Sequence, residues 1–110
     1  MEINTKTEQD VTVVEITGDI DANTAPTVSE KVLPLATPGS KILMDMTSVP
    51  YMSSAGLRSL LSLYRQTQAK DGKVVLVGLS EELQDTMSVT GFLDFFTTAE
   101  TVDAGMTALK

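Results

Sequence analysis

Three short runs rich in branched and aliphatic residues set the fold class of this chain: Val11–Thr17, Lys41–Met46 and Lys73–Gly78. Between them apolar residues recur every three or four positions, as in Leu57, Leu60, Leu61 and Tyr64. Short apolar runs read as buried strands, and the 3.6-residue period reads as amphipathic helix. Strands that alternate with helices pair in parallel through right-handed crossovers. The pattern predicts an α/β fold.

The remaining elements follow from local chemistry. Thr5–Thr7 and Val11–Thr17 flank the polar tip Glu8-Gln9-Asp10 and predict an antiparallel hairpin. Gly18-Asp19-Ile20-Asp21 then reads as a loop. Asn23 or Thr24 caps a first helix with Pro26 in its first turn and Val28, Val32 and Leu35 on its apolar face. Pro34 and Pro38-Gly39 end it. The helix after Ser54 runs to about Lys70 and stops at Asp71-Gly72. Ser80 caps a third helix with Glu81 and Glu82 in its first turn. Leu83 and Met87 form its core face, with Val89 as a further candidate. Gly91–Phe96 holds all three phenylalanines and leads to a short strand. Phenylalanine favours burial, and an exposed Phe92 as a docking anchor is the alternative. Glu100 or Thr101 opens a last helix with Val102, Met106 and Leu109. The order β-β-α-β-α-β-α-β-α implies a mixed sheet packed with about four helices. Its N-terminal hairpin is antiparallel and its other strands are parallel. One domain over residues 1–110 is expected at this length.

Composition removes whole classes of function. The net charge is −7 with eight Lys plus Arg, so no basic stripe exists for nucleic acid or for an acidic membrane surface. A partner with a basic or mixed face fits better. The chain has no cysteine and no histidine. That excludes disulfides and thiolate chemistry, and it removes the commonest general base and metal ligand. No catalytic residue, metal or cofactor is expected, and the chain reads as a binding protein rather than an enzyme. No apolar run approaches the ~20 residues that span a bilayer, and the N-terminus lacks a signal-peptide pattern. These features fit a cytoplasmic protein.

The segment Asp45–Arg58 carries the sharpest signal. A buried strand runs into a polar turn that ends in Ser53-Ser54, and a helix starts at once. A helix start, with its loose N–H groups and positive dipole end, favours an anion. Two readings of the serines stand side by side: an N-cap, or a site of modification. No histidine or sequence-local lysine is present to activate either as a nucleophile. Asp19, Asp21 and Asp45 read either as a recognition surface beside the serines, or as a helix cap and a solvated strand end. Gly56 costs ~1 kcal/mol relative to Ala in a helix and suggests a close approach at that point.

With these residues in view, the chain resembles the STAS-domain family of bacterial anti-sigma factor antagonists over nearly its whole length. Gly18-Asp19-Ile20-Asp21 is similar to the family's loop of Gly, acid, apolar and Asp. Asp45–Leu57 resembles its strand–turn–helix phosphorylation motif, Asp-Ser-Ser/Thr-Gly-Leu, in which the serine after the Asp is phosphorylated. Aligned on Gly56-Leu57, that serine is Ser54. Ser53 takes the family's Asp position and is a rival acceptor, and Ala55 takes the second Ser/Thr. Ser88-Val89-Thr90-Gly91-Phe92 resembles, more loosely, a later Ser-Gly-Leu turn. The resemblance implies that the unphosphorylated protein binds an anti-sigma factor, a serine kinase of histidine-kinase-like ATPase fold, and frees its sigma factor. Phosphorylation ends that binding, and a metal-dependent serine phosphatase resets the cycle. Asp19, Asp21, Asp45, Ser53, Ala55, Gly56 and Arg58 are the implied partner-facing residues. Ser53 in place of Asp also admits a STAS scaffold or ligand-sensing module without phosphorylation control.

Overall fold

A computed structural model describes all 110 residues. Strand β1 (Glu2–Glu8) pairs antiparallel with β2 (Val11–Thr17), in register from Glu2 opposite Thr17 to Glu8 opposite Val11. Strand β1 thus starts earlier than Thr5. Its alternation is faint because only Ile3 is half-buried and the other six residues are exposed. The turn is Gln9-Asp10, both at positive φ (49° and 67°), as a two-residue hairpin of the type I′ class requires.

The rest is parallel. Strands β3 (Lys41–Ser48), β4 (Lys73–Val77) and β5 (Thr97–Ala99) complete a sheet of order β1-β2-β3-β4-β5. Helices α1 (Ala25–Val32), α2 (Ser54–Ala69), α3 (Glu81–Val89) and α4 (Val102–Ala108) fill the connections. Leu35 falls in a 3-10 turn, Leu33–Leu35, rather than in α1.

Strand alternation divides the core into two layers. Val14, Ile16, Ile42, Met44, Met46, Val74 and Leu76 face α1, α2 and α3. Val11, Val13, Leu43, Val75 and Val77 face the other way, with Leu109 and helix α4. The central strands are covered on both faces, which is why they read as near-continuous apolar runs.

Two expectations on α3 and the phenylalanines change. Val89 is 87 % exposed, because the helix buries only Leu83 and Met87. The phenylalanines split: Phe96 is buried, Phe92 is half-buried against the core, and Phe95 is 50 % exposed.

These placements predict opposite outcomes for two truncations. Leu76→Ala, at a fully buried central-strand position, is expected to cost about 2–5 kcal/mol. Val89→Ala is expected to stay within about 0.5 kcal/mol of wild type. Urea unfolding checks both, with a lowered midpoint and unchanged slope for the first.

Candidate functional site

Ser53 and Ser54 sit at the carboxyl end of the parallel strands, where α2 begins. The cap role falls to one of them. Ser53 is the N-cap, in extended conformation, and its Oγ accepts from the Gly56 N–H at 3.4 Å. Ser54 is the first helical residue and is exposed. Arg58 lies four residues on, on the same exposed helix face, and makes no ion pair.

Backbone bonds bring the Gly18–Asp21 loop to the serines. The Gly18 N–H donates to the Ser48 carbonyl at 3.0 Å, Ile20 N–H to Tyr51 carbonyl at 3.0 Å, and Ser53 N–H to Ile20 carbonyl at 2.8 Å. Ile20 and Met52 form a parallel bridge, so the β2–β3 pairing resumes beyond the strands and carries Asp21 alongside Ser53. Ile20 itself is fully buried.

Gly56 explains how α2 can start so close. A Cβ there would lie 2.8 Å from the Ile20 carbonyl oxygen and 2.6 Å from Met52 Cγ. What approaches the helix start is the chain's own loop. Gly56 is buried and acts through position, while Ala55 is half-buried against the core.

Asp21 organises the start of α1. Its Oδ1 accepts from the N–H groups of Asn23 at 2.9 Å and Thr24 at 3.1 Å, while the Thr24 Oγ1 accepts from the Asp21 N–H at 2.9 Å. Neither Asn23 nor Thr24 caps the helix with its own side chain as expected; Thr24 is the cap residue, and Asp21 supplies the bonds. The Thr24 and Asn23 N–H groups hold the Asp21 carboxyl below its ordinary value of 3.8. Asp19 is exposed, and its carbonyl accepts from the Thr24 hydroxyl at 2.8 Å.

The structure does not bring Asp45 to the serines. It lies two residues from Leu43 on the α4 side of the sheet, whereas α2 packs on the other side. Its Oδ1 accepts from the Thr47 N–H at 3.1 Å and the Thr47 hydroxyl at 2.6 Å. These bonds brace a bulge, where two β3 residues oppose one of β2 between the pairs Glu15–Asp45 and Thr17–Ser48.

A groove of about 370 Å³ runs beside the serines, lined by Tyr51, Met52 and Leu57 and by Glu82, Thr86 and Thr90 of the α3 segment. The half-exposed Tyr51 and this α3 stripe are not among the partner-facing residues that the sequence implies. Their signal was the spacing 82, 86, 90, next to the buried pair Leu83 and Met87.

The STAS domain family model matches residues 2–105. The chain belongs to the STAS-domain family. An anti-sigma-B factor antagonist of Bacillus subtilis (strain 168) is 29% identical over 104 residues, covering 94% of this chain and 95% of that protein. Among solved structures, an anti-sigma-factor antagonist (STAS) domain protein from Planctomyces limnophilus superposes with TM-score 0.89 at 17% identity, covering 97% of both chains. The anti-sigma factor antagonist SpoIIAA is similar in fold in both of its forms. The unphosphorylated form gives TM-score 0.74 at 14% identity, covering 97% of this chain and 96% of that one. The phosphorylated form from Bacillus gives 0.73 at 16%, covering 99% and 100%.

Two tests address the local roles in this STAS domain. Ser53→Ala is expected to lose about 0.5–1 kcal/mol as a cap, and Ser54→Ala to stay within about 0.5 kcal/mol. Gly56→Ala gains helix propensity but forces a Cβ onto the Ile20 carbonyl, so a net loss of about 1–3 kcal/mol is expected from urea unfolding.

The Asp21 bonds give a pH signature. A carboxyl whose folded value is depressed stabilises the fold above its unfolded value, about pH 4, and loses that contribution as pH falls through the folded value. Asp21→Ala is therefore expected to lie below wild type at neutral pH and to converge on it in acid. Urea midpoints measured across pH check this, and a constant gap would assign the loss to packing alone.

Proposed function

We propose that this STAS domain is an anti-sigma factor antagonist that works by partner switching. The unphosphorylated form binds an anti-sigma factor, itself a serine kinase of histidine-kinase-like ATPase fold, and so releases the sigma factor. That kinase phosphorylates Ser54, the complex separates, and a metal-dependent serine phosphatase restores the binding form. The domain carries no catalytic step of its own. The observation that carries the reading is the division of labour at the start of α2: Ser53 caps, and Ser54 is exposed with no structural bond to lose.

Physical chemistry supports a surface switch rather than a refolding one. A phosphate on Ser54 adds nearly two negative charges at a helix start, where the dipole favours an anion by some tenths to ~2 kcal/mol. Arg58 is one turn away on the same face. Asp19, Asp21 and Glu82 offset part of this. The internal balance is small, and the fold of SpoIIAA matches this chain about equally in its two forms. A partner carboxylate or apolar patch against Ser54 meets the full effect, and about 1.4 kcal/mol is tenfold in affinity.

Incubation with the cognate kinase and ATP, followed by mass spectrometry, tests the acceptor. One phosphate on Ser54 is expected, lost in Ser54→Ala and kept in Ser53→Ala. Phosphate on Ser53 reassigns the acceptor, and none on either sinks the reading. Ser54→Asp is expected to bind the anti-sigma factor more than about tenfold more weakly, and unchanged binding counts against the switch. The second reading, a scaffold outside phosphorylation control, rests on Ser53 in the Asp position. It requires a large homo-assembly by size measurement in solution.

A further inference from the structure

A second cavity, of about 290 Å³, opens at the other end of the sheet, remote from Ser54. It exists because β5 starts late. Thr97 pairs with Val75, so Lys73 and Val74 of β4 have no strand on that side. Tyr64 and Gln68 of α2 line the opening with Phe95, Thr97 and Lys73.

Three features of this lining point to one ligand class. The first is aromatic surface that the core does not consume. Phe95 is 50 % exposed, with its ring centroid 5.8 Å from that of Tyr64. The second is an available donor. The Tyr64 hydroxyl accepts from Gln68 Nε2 at 3.1 Å, which leaves its own O–H free to donate. The third is a cation without a partner. Lys73 is exposed and makes no ion pair. Lys41 stands beside it in register on β3, and Lys70 and Lys110 follow the ends of α2 and α4. Asp71 and Asp94 also lie at this end, and neither forms an ion pair. Glu8 and Asp10 of the hairpin tip lie at this end as well, but Lys73 is the one charged residue that lines the cavity, so the cavity itself favours an anion.

Size narrows the class further. At about 290 Å³ the cavity lies at the small end of ligand pockets, which run from about 300 Å³ upward. About 150 Å³ suffices for a bare benzene ring, so one ring with a short acidic substituent fits. We propose that this cavity binds a small aromatic carboxylate. Its ring packs against Phe95 and Tyr64, and its carboxylate faces Lys73. The site is independent of Ser54 and of any phosphate there.

Titration of the full chain with benzoate, followed by amide NMR shifts, tests the proposal. Saturable shifts are expected at Gln68, Lys73, Phe95 and Thr97, with none at Ser53 or Ser54. Acetate lacks the ring and benzyl alcohol lacks the charge, and each is expected to bind at least about tenfold more weakly. Lys73→Gln alters an exposed position and leaves the fold intact. It is expected to lower benzoate affinity about tenfold, to a level that added salt no longer changes. No saturation by about 10 mM benzoate, shifts centred elsewhere, or equal binding by Lys73→Gln and wild type would overturn it.

Discussion

Ile20 is fully buried between the start of α2 and the loop that feeds it, and the site hangs on that contact. Its N–H and carbonyl bond to Tyr51 and Ser53, which extends the β2–β3 pairing past the end of the sheet. Its carbonyl lies against Gly56, where any side chain would collide. The loop and the helix start are therefore one rigid unit. Asp21 is held next to Ser53 by this backbone ladder, with no ion pair involved. A surface built this way can change its charge without changing its shape, because the groups that fix it are backbone atoms.

The parallel topology then sorts the charges. Helices that connect parallel strands all begin at the carboxyl end of the sheet. Acids favour helix starts and cations favour helix ends. Asp19, Asp21, Glu81, Glu82 and Asp103 accordingly gather around the serine end. Lys31, Lys41, Lys70, Lys73 and Lys110 gather at the other. The exceptions are Arg58, one turn into α2, and Asp10, Asp71 and Asp94 at the lysine end. The ion pairs of the fold belong to Lys6 alone, so these cations remain free. A domain of net charge −7 thus offers two chemically distinct ends.

Much of this was legible in the sequence, and the failures have identifiable causes. Buried strands and helix caps announce themselves locally, as at Val74–Val77, Ser80 and Thr101. Strand β1 was clipped because a strand exposed on both faces has no apolar period. Val89 was misplaced because helical spacing does not say where the groove beneath a helix ends. Asp45 looked close to Ser54 along the chain, but strand alternation and a bulge send it to the opposite face. Gly56 advertised a close approach without naming what approaches, since Ile20 is 36 positions away in sequence. Propensity and period are local signals; the juxtaposition of two loops is not.

The same geometry gives the Ser53 substitution a physical meaning. Asp and Ser cap helices about equally well. Ser53, where the resemblance leads one to expect Asp, keeps the cap bond to Gly56 and places no negative charge beside Ser54, the proposed acceptor. A phosphate on Ser54 would then face less repulsion within its own chain, so modification costs the fold less. It would raise the net charge from −7 to about −9, a modest change for a partner still at a distance. At contact the balance differs, because burying an unpaired dianion against an apolar or acidic patch costs several kcal/mol. The proposed switch would therefore act on how long a complex lasts more than on how fast it forms. In such a design the neighbour of the acceptor need not be acidic, provided that it holds the helix start in place.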